Sequence, residues 1–152
     1  MEKTMSRNFN LDLSRIPKEL ILLLEFLKID DFNSILLNND RLLNNIDWNK
    51  FLDLAQHHRV YSVIYPKIKV MNESIVPTYV IQTLKRQYQK NTFQMLHLSA
   101  EMEKVSRLFS ENDIQVLFLK GPVLATELYG DISLRTSSDL DILIPIKHLD
   151  RA

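Results

Sequence analysis

The sequence lacks cysteine altogether and contains only two glycines, Gly121 and Gly130. The missing thiols exclude a disulfide scaffold, a zinc-thiolate site and a cysteine nucleophile. At average usage a chain of 152 residues would hold roughly ten glycines. Their scarcity argues against a glycine-rich dinucleotide cradle or P-loop. It also predicts that about the first 110 residues are helical, because sheet-rich folds use glycine in their turns.

An excess of charge of one sign and long apolar runs are missing as well. The chain carries 19 basic and 19 acidic residues, which excludes a nucleic-acid binder held by bulk positive charge but leaves room for a local basic patch. The longest aliphatic run, Leu20 to Leu24, is far shorter than the about 20 residues of a membrane span. Residues 1–17 contain no apolar signal core. We therefore expect a soluble, cytoplasmic protein without membrane contact.

What the sequence does contain is a series of helix signals, with enough apolar residues (45%) for a buried core. Capping residues, prolines at helix starts and apolar spacing of three to four residues predict helices. The first predicted helix starts at Pro17, the second runs from Asn33 or Ser34 to Leu43, and the third follows an Asp47 cap through residues 48–58. The last two run from Val60 to Ile68 and from Pro77 to Asn112. The apolar stripe of the last helix is interrupted only at Asn91, and the helix packs on its own domain or in a coiled coil.

After Asp113 the apolar period changes from helical to strand-like. The pattern predicts a buried strand over Ile114–Leu119, a helix over Pro122–Tyr129 stopped by Gly130, a polar loop over Asp131–Ser138 and a second strand over Leu140–Ile144. The fold class is therefore α+β, with a helical region over residues 1–112 and a small sheet within residues 113–152.

Two aspartates in the second strand are the first candidate for chemistry. Residues two apart in a strand point to the same face, so Asp139 and Asp141 lie together while Leu140, Ile142 and Ile144 occupy the opposite, buried face. Paired carboxylates repel each other unless a cation sits between them, and hard oxygen ligands suit Mg²⁺ or Mn²⁺. Aspartates at this spacing also occur as turn residues or as solvated charges.

The turn between the first strand and the following helix is the second candidate. A glycine at this place, Gly121, allows a phosphate to approach the backbone at the start of a helix. Lys120, Arg135 and Ser138 offer donors that could hold phosphate oxygens. The alternatives are a plain strand–turn–helix link with a solvated Lys120, an Arg135 that only neutralises the aspartates, and a Ser138 that only shapes the turn.

Together these residues form a pattern that resembles a known family. Residues 120–130 read Lys-Gly-x-x-x-Ala-x-x-x-Tyr-Gly, and residues 134–144 read Leu-Arg-x-Ser-x-Asp-Leu-Asp-Ile-Leu-Ile. The pattern is similar to the uncharacterised nucleotidyltransferase family of the DNA polymerase β-like superfamily, and residues 48–65 are similar to that family's helical N-terminal region. The resemblance implies transfer of a nucleotidyl group from an NTP to a hydroxyl, with release of pyrophosphate.

The same resemblance implies roles for individual residues. Asp139 and Asp141 correspond to the first two metal carboxylates and hence to the catalytic centre. Gly121 corresponds to the turn against the triphosphate, and Lys120, Arg135 and Ser138 belong to the local nucleotide-binding motif.

The family pattern also includes a third carboxylate on a later strand, and only Asp150 follows Asp141 here. We therefore expect an incomplete nucleotidyltransferase core, with the chain as the N-terminal part of a longer enzyme and the acceptor unknown. Metal affinity should be weak, and the exposed strand edge should invite self-association or pairing with a missing C-terminal half. Two alternatives stay open: a non-catalytic nucleotide-binding or protein-interaction module, and an antitoxin-like nucleotidyltransferase.

Overall fold

The computed structural model describes residues 16–28, 43–71 and 75–151. This part of the chain folds into helices followed by a two-stranded sheet, which confirms the α+β class. The elements are α1 (Lys18–Lys28), α2 (Trp48–His57), α3 (Tyr61–Ile68), α4 (Thr78–Glu111), β1 (Leu117–Phe118), α5 (Pro122–Tyr129), a 3₁₀ turn (Ile132–Leu134), β2 (Ile142–Leu143) and a 3₁₀ helix (Ile146–Arg151). The helix predicted from Asn33 or Ser34 falls, apart from its last residue, outside the described residues. None of the described helices combines the length and the apolar character needed to cross a membrane.

The start of α2 is set by Asp47, as the sequence predicts. Its carboxylate accepts hydrogen bonds from the backbone N–H groups of Asn49 (3.0 Å) and Lys50 (3.1 Å). These are N–H groups that have no partner within the helix itself. The cap therefore fixes where α2 begins and which face, with Phe51 and Ala55, is turned inward.

The main core lies between α1, α2, α3 and the first half of α4. The rings of Phe26 and Phe51 meet edge to face with centroids 5.8 Å apart, and Trp48 packs on Phe51 at 5.5 Å. We call this the helical core; its buried members are Leu22, Leu23, Phe26, Phe51, Ala55, Ile64, Ile68, Met71, Val76, Val80 and Leu84.

Helix α4 connects this core to the rest of the molecule. Its 34 residues span about 50 Å at about 1.5 Å per residue. Val80 and Leu84 belong to the helical core, whereas Met95 and Leu98 pack with Ala125 of α5 in a second, smaller cluster. The helix packs within its own domain, and its two halves pack in different apolar clusters.

The end of α4 is a regular C-terminal cap. Asp113 adopts a left-handed conformation with φ of 56°. The N–H of Ile114 bonds to the carbonyl of Phe109 at 2.8 Å, and the N–H of Asp113 bonds to the carbonyl of Ser110 at 3.1 Å. This pair of bonds is the Schellman arrangement, and it turns the chain toward β1.

The sheet departs from the prediction in length and in burial. Strands β1 and β2 pair antiparallel, with Leu117 opposite Leu143 and Phe118 opposite Ile142. The predicted strands Ile114–Leu119 and Leu140–Ile144 are thus reduced to two residues each. Leu117 and Leu143 are each 57% exposed, so the predicted burial of this sheet is wrong.

The exposure has a physical reason. Within the described residues each strand has only the other as a partner, and no element covers the apolar side chains. Ile142 is 39% exposed, and so the face predicted to be buried behind the aspartates is open at its centre.

Candidate functional site

The site begins at the turn that joins β1 to α5. Gly121 has φ of 77° and ψ of −138°, a combination that side-chain-bearing residues rarely adopt. A Cβ at this position would lie 3.4 Å from Leu140 Cδ2 and 3.7 Å from the carbonyl oxygen of Asp139. The glycine therefore lets the turn lie directly against the segment that carries the aspartates.

The two aspartates precede β2: Asp141 is the residue directly before the strand, and Asp139 lies in a bend two residues earlier. Asp141 is joined to the other strand through its carbonyl, which accepts a hydrogen bond from the N–H of Leu119 at 2.9 Å. The Asp139 side chain is at the surface and that of Asp141 is 36% exposed, so solvent reaches both carboxylates. The backbone pairing positions them at the end of the sheet next to the Gly121 turn.

Lys120 forms an ion pair with one of these carboxylates. Its Nζ lies 2.5 Å from Asp141 Oδ2. The hydrogen bond and charge of Asp141 raise the pKa of Lys120, Asp139 adds to the effect, and Arg135 opposes it. All four side chains therefore share one electrostatic environment. At this exposure the pair itself contributes little to stability.

Arg135 and Ser138 complete the predicted set. The Nη1 atom of Arg135 is buried and has no hydrogen-bond partner among the described residues. A buried guanidinium nitrogen without an acceptor favours an incoming anion. The hydroxyl of Ser138 donates to Asp139 Oδ1 at 3.4 Å, a long contact that leaves it able to reorient.

The loop that carries Arg135 and Ser138 is held by α4, and this was not predicted. Asn91 Nδ2 donates to the carbonyls of Ser133 (2.8 Å) and Arg135 (3.0 Å), and Gln94 Nε2 donates to the carbonyl of Ser137 (2.8 Å). Asn91 is buried, and it is the one polar interruption in the apolar stripe of α4. That interruption was the available signal, since a buried amide requires a hydrogen-bond partner.

Two further polar contacts fix the 3₁₀ turn that precedes the loop. Ser62 of α3 donates its hydroxyl to the carbonyl of Leu134 at 2.9 Å. Tyr88 of α4 and Ser133 share a hydroxyl–hydroxyl contact of 2.6 Å. The site is therefore positioned on the helical part by hydrogen bonds as well as by the packing of Ile132 and Leu140 on the second cluster.

The donor set suits a hard cation, but it is small. Asp139 and Asp141 offer carboxylate oxygens, which Mg²⁺ prefers. In the part of the chain that the structure describes, no group of three or more His, Cys, Asp or Glu side chains is placed to hold a metal ion. Asp150 lies exposed on the C-terminal 3₁₀ helix. A metal would thus rest on the aspartate pair and would compete with Lys120 for Asp141.

Comparison with known proteins places the chain in a family. The model of a family described as uncharacterised nucleotidyltransferase matches residues 44–152. Comparisons with the curated proteins and with the solved structures gave no match. The match spans well over half of the chain and includes α2 to α5, the Gly121 turn and both aspartates. The protein therefore belongs to this uncharacterised nucleotidyltransferase family.

Proposed function

We propose that the protein transfers a nucleotidyl group from an NTP to a hydroxyl acceptor with the help of Mg²⁺ or Mn²⁺. The observation that carries the proposal is the gathering of Asp139, Asp141, Lys120 and Arg135 beside the Gly121 turn. Family membership supports the general class of activity.

The reaction exchanges a phosphoanhydride bond of the NTP for a phosphoester bond to the acceptor. The acceptor oxygen forms a bond to the α-phosphorus, and the bond from that phosphorus to the oxygen bridging to the β-phosphate breaks. Pyrophosphate leaves with the electron pair, and the hydroxyl proton passes to a carboxylate or to water. A divalent ion held by Asp139 and Asp141 would neutralise phosphate charge and activate the hydroxyl.

The remaining residues have roles in binding the triphosphate. Gly121 brings the start of α5 beside Asp139 and Leu140, and the free N–H groups at that end of the helix suit phosphate oxygens. The unpartnered Nη1 of Arg135 supplies a charged donor. Lys120 pairs with Asp141; with a cation bound to Asp141, its ammonium would be free to pair with a phosphate.

The test is calorimetric titration of ATP, GTP, CTP and UTP with and without Mg²⁺. We expect Mg²⁺-dependent binding of at least one NTP, and we expect Asp139→Asn together with Asp141→Asn to abolish it. The control is Asp53→Asn with Glu127→Gln, which removes two exposed carboxylates away from the site. Equal binding by the site variant and the parent would overturn the assignment of the aspartates.

A non-catalytic nucleotide-binding role is favoured by one observation, the Lys120–Asp141 pair, because it neutralises a carboxylate without a metal. In that case NTP binding would be independent of Mg²⁺. It would survive Asp139→Asn with Asp141→Asn, whereas the transferase requires these carboxylates for NTP binding. The same titrations therefore separate the two functions.

A further inference from the structure

A polar cleft of about 350 Å³ lies between the helical part and the loop that precedes Asp139. Its walls come from the end of α2, the start of α3, the middle of α4 and residues 136–138. We call it the polar cleft, since all of its side chains carry hydroxyl, amide, guanidinium or ammonium groups. The aspartate pair and Gly121 are not among its lining residues.

The charge of the polar cleft has one sign. Arg59, at the turn between α2 and α3, and Lys90, on α4, both line it, and none of the described carboxylates does. Both side chains are exposed, so their charges reach the opening. Two cations without a compensating acid favour an anionic ligand.

The floor of the cleft contains an acceptor without a donor. Gln87 Nε2 donates to Gln56 Oε1 at 2.9 Å, and both residues line the cleft. The Oε1 atom of Gln87 is buried and has no hydrogen-bond partner among the described residues. Because leaving such an oxygen unpaired is unfavourable, a ligand that brings an O–H or N–H donor would stabilise it.

The cleft also adjoins the reaction centre. Ser137 and Ser138 form part of its wall, and the Ser138 hydroxyl contacts Asp139 Oδ1 at 3.4 Å. The Ser137 hydroxyl lies 4.0 Å from where a Cβ on Gly121 would stand. A molecule held in the cleft would therefore end beside the carboxylates.

We propose that the polar cleft binds the phosphate group of a small molecule that also carries hydroxyl or amino donors, with Arg59 and Lys90 as the cations that hold the phosphate. The inference rests on the proposed function in one respect, that the bound molecule takes part in the transfer. The phosphate belongs either to the NTP or to a phosphorylated acceptor.

The test follows the side-chain amide signals of the full chain by ¹H–¹⁵N NMR during titration with inorganic phosphate. We expect saturable shifts of the amides of Gln56 and Gln87. Arg59→Gln with Lys90→Gln should weaken phosphate binding by about tenfold or more, because two charge-assisted contacts are lost.

A control variant and a folding check accompany this titration. Lys69→Gln with Lys85→Gln removes the same charge from exposed positions that do not line the cleft, and it should bind like the parent. Circular dichroism melts show whether each variant is folded. Unchanged Gln56 and Gln87 amides, or equal binding by a folded Arg59→Gln/Lys90→Gln variant, would overturn the proposal.

Two further titrations identify the source of the phosphate and separate this proposal from the previous one. If ATP with Mg²⁺ displaces the inorganic phosphate that shifts the Gln56 and Gln87 amides, the cleft holds a phosphate of the NTP; if those shifts persist while ATP is bound, it holds a phosphorylated acceptor. The variant Asp139→Asn/Asp141→Asn should still bind inorganic phosphate in the cleft. In the parent protein, absence of Mg²⁺-dependent NTP binding with intact phosphate binding counts against the transferase alone, whereas NTP binding without phosphate binding in the cleft counts against the cleft alone.

Discussion

The helical core and the sheet region are built in different ways. Among the described residues, the helical core gathers eleven buried apolar side chains, nine from four helices and two, Met71 and Val76, from the segment between α3 and α4. In the same part of the chain, the second cluster, which supports the sheet region, contains Met95, Leu98 and Ala125 as its buried members. The strands themselves remain exposed, and the loop before Asp139 is fixed to α4 by amide and hydroxyl groups.

The difference indicates that stability and site geometry depend on different parts of the chain. Burial of apolar area is the main source of stability, so most of the free energy of unfolding should reside in the helical core. The sheet region instead uses directional hydrogen bonds, which specify position more than they stabilise. Stability and site geometry can therefore be perturbed separately.

The largest expected effect comes from the helical core. Phe51→Ala removes a fully buried ring that contacts Phe26 and Trp48, and it should lower the free energy of unfolding by about 3–5 kcal/mol. Met95→Ala, the corresponding truncation in the smaller cluster, should cost about 2–3 kcal/mol, because fewer neighbours surround the cavity. Denaturant unfolding measures both, and equal losses would contradict the contrast between the two regions.

The next effect concerns the two glycines of the sheet region. Gly121→Ala forces a side chain into a backbone conformation rarely adopted by such residues and against Leu140; we expect a loss of about 2–3 kcal/mol. Gly130 has φ of 69° with open space around it, so Gly130→Ala should cost about 1 kcal/mol. Denaturant unfolding of the two variants provides the comparison, and a reversed order would mean that the Gly121 turn can relax away from Leu140.

A smaller effect is the pH dependence of stability that Glu19 of α1 contributes beside the helical core. The pKa of Glu19 lies below its ordinary 4.5 despite desolvation. A hydrogen bond from the backbone N–H of Glu19 itself lowers it most, and Lys50, whose Nζ lies 3.1 Å from Glu19 Oε2, lowers it further. A carboxyl whose pKa is lower in the folded state stabilises the protein above its unfolded pKa and loses that contribution as the pH falls through the folded pKa.

Because Lys50 is half exposed, the contribution of Glu19 should be at most about 1 kcal/mol. Unfolding at pH 7 and at pH 3.5 should show a larger loss in the parent than in Glu19→Gln. The same loss in both proteins would contradict this role of Glu19.

The smallest effect should be a gain in stability. Asp113 occupies a left-handed position at the end of α4, where glycine avoids the strain of a Cβ. Asp113→Gly should raise the free energy of unfolding by about 0.5–1 kcal/mol, the strain relieved minus the added flexibility of the unfolded chain. A thermal melt tests it, and a lower midpoint would show that the aspartate side chain stabilises the turn.

The helices could be predicted from sequence because their signals are local. The Asp47 cap, the limits of α4 near Pro77 and Asn112, and α5 with its stop at Gly130 all agree with the structure. Burial of the strands could not be predicted in the same way. Alternating apolar residues indicate which side chains should be buried, but not whether another element packs over them.

The candidate site likewise has features that could be predicted from the sequence and features that could not. Asp139 and Asp141 are two residues apart, so their backbones are close in any local conformation, although both precede β2 instead of lying within a strand as predicted. The Lys120–Asp141 pair and the contacts from Asn91 to the carbonyls of Ser133 and Arg135 join segments distant in sequence. Such contacts depend on how α4 packs against the loop, which no local pattern records. The roles of the six predicted site residues stay predictions.

The position of Trp48 has a spectroscopic consequence. It is the only tryptophan in the sequence, and its ring packs on Phe51 in the helical core. Its emission therefore reports the unfolding of one half of the molecule, whereas the tyrosine Tyr129 lies in the other half. A melt followed by tryptophan emission and by a signal from the sheet region would coincide only if α4 couples both halves into one cooperative unit.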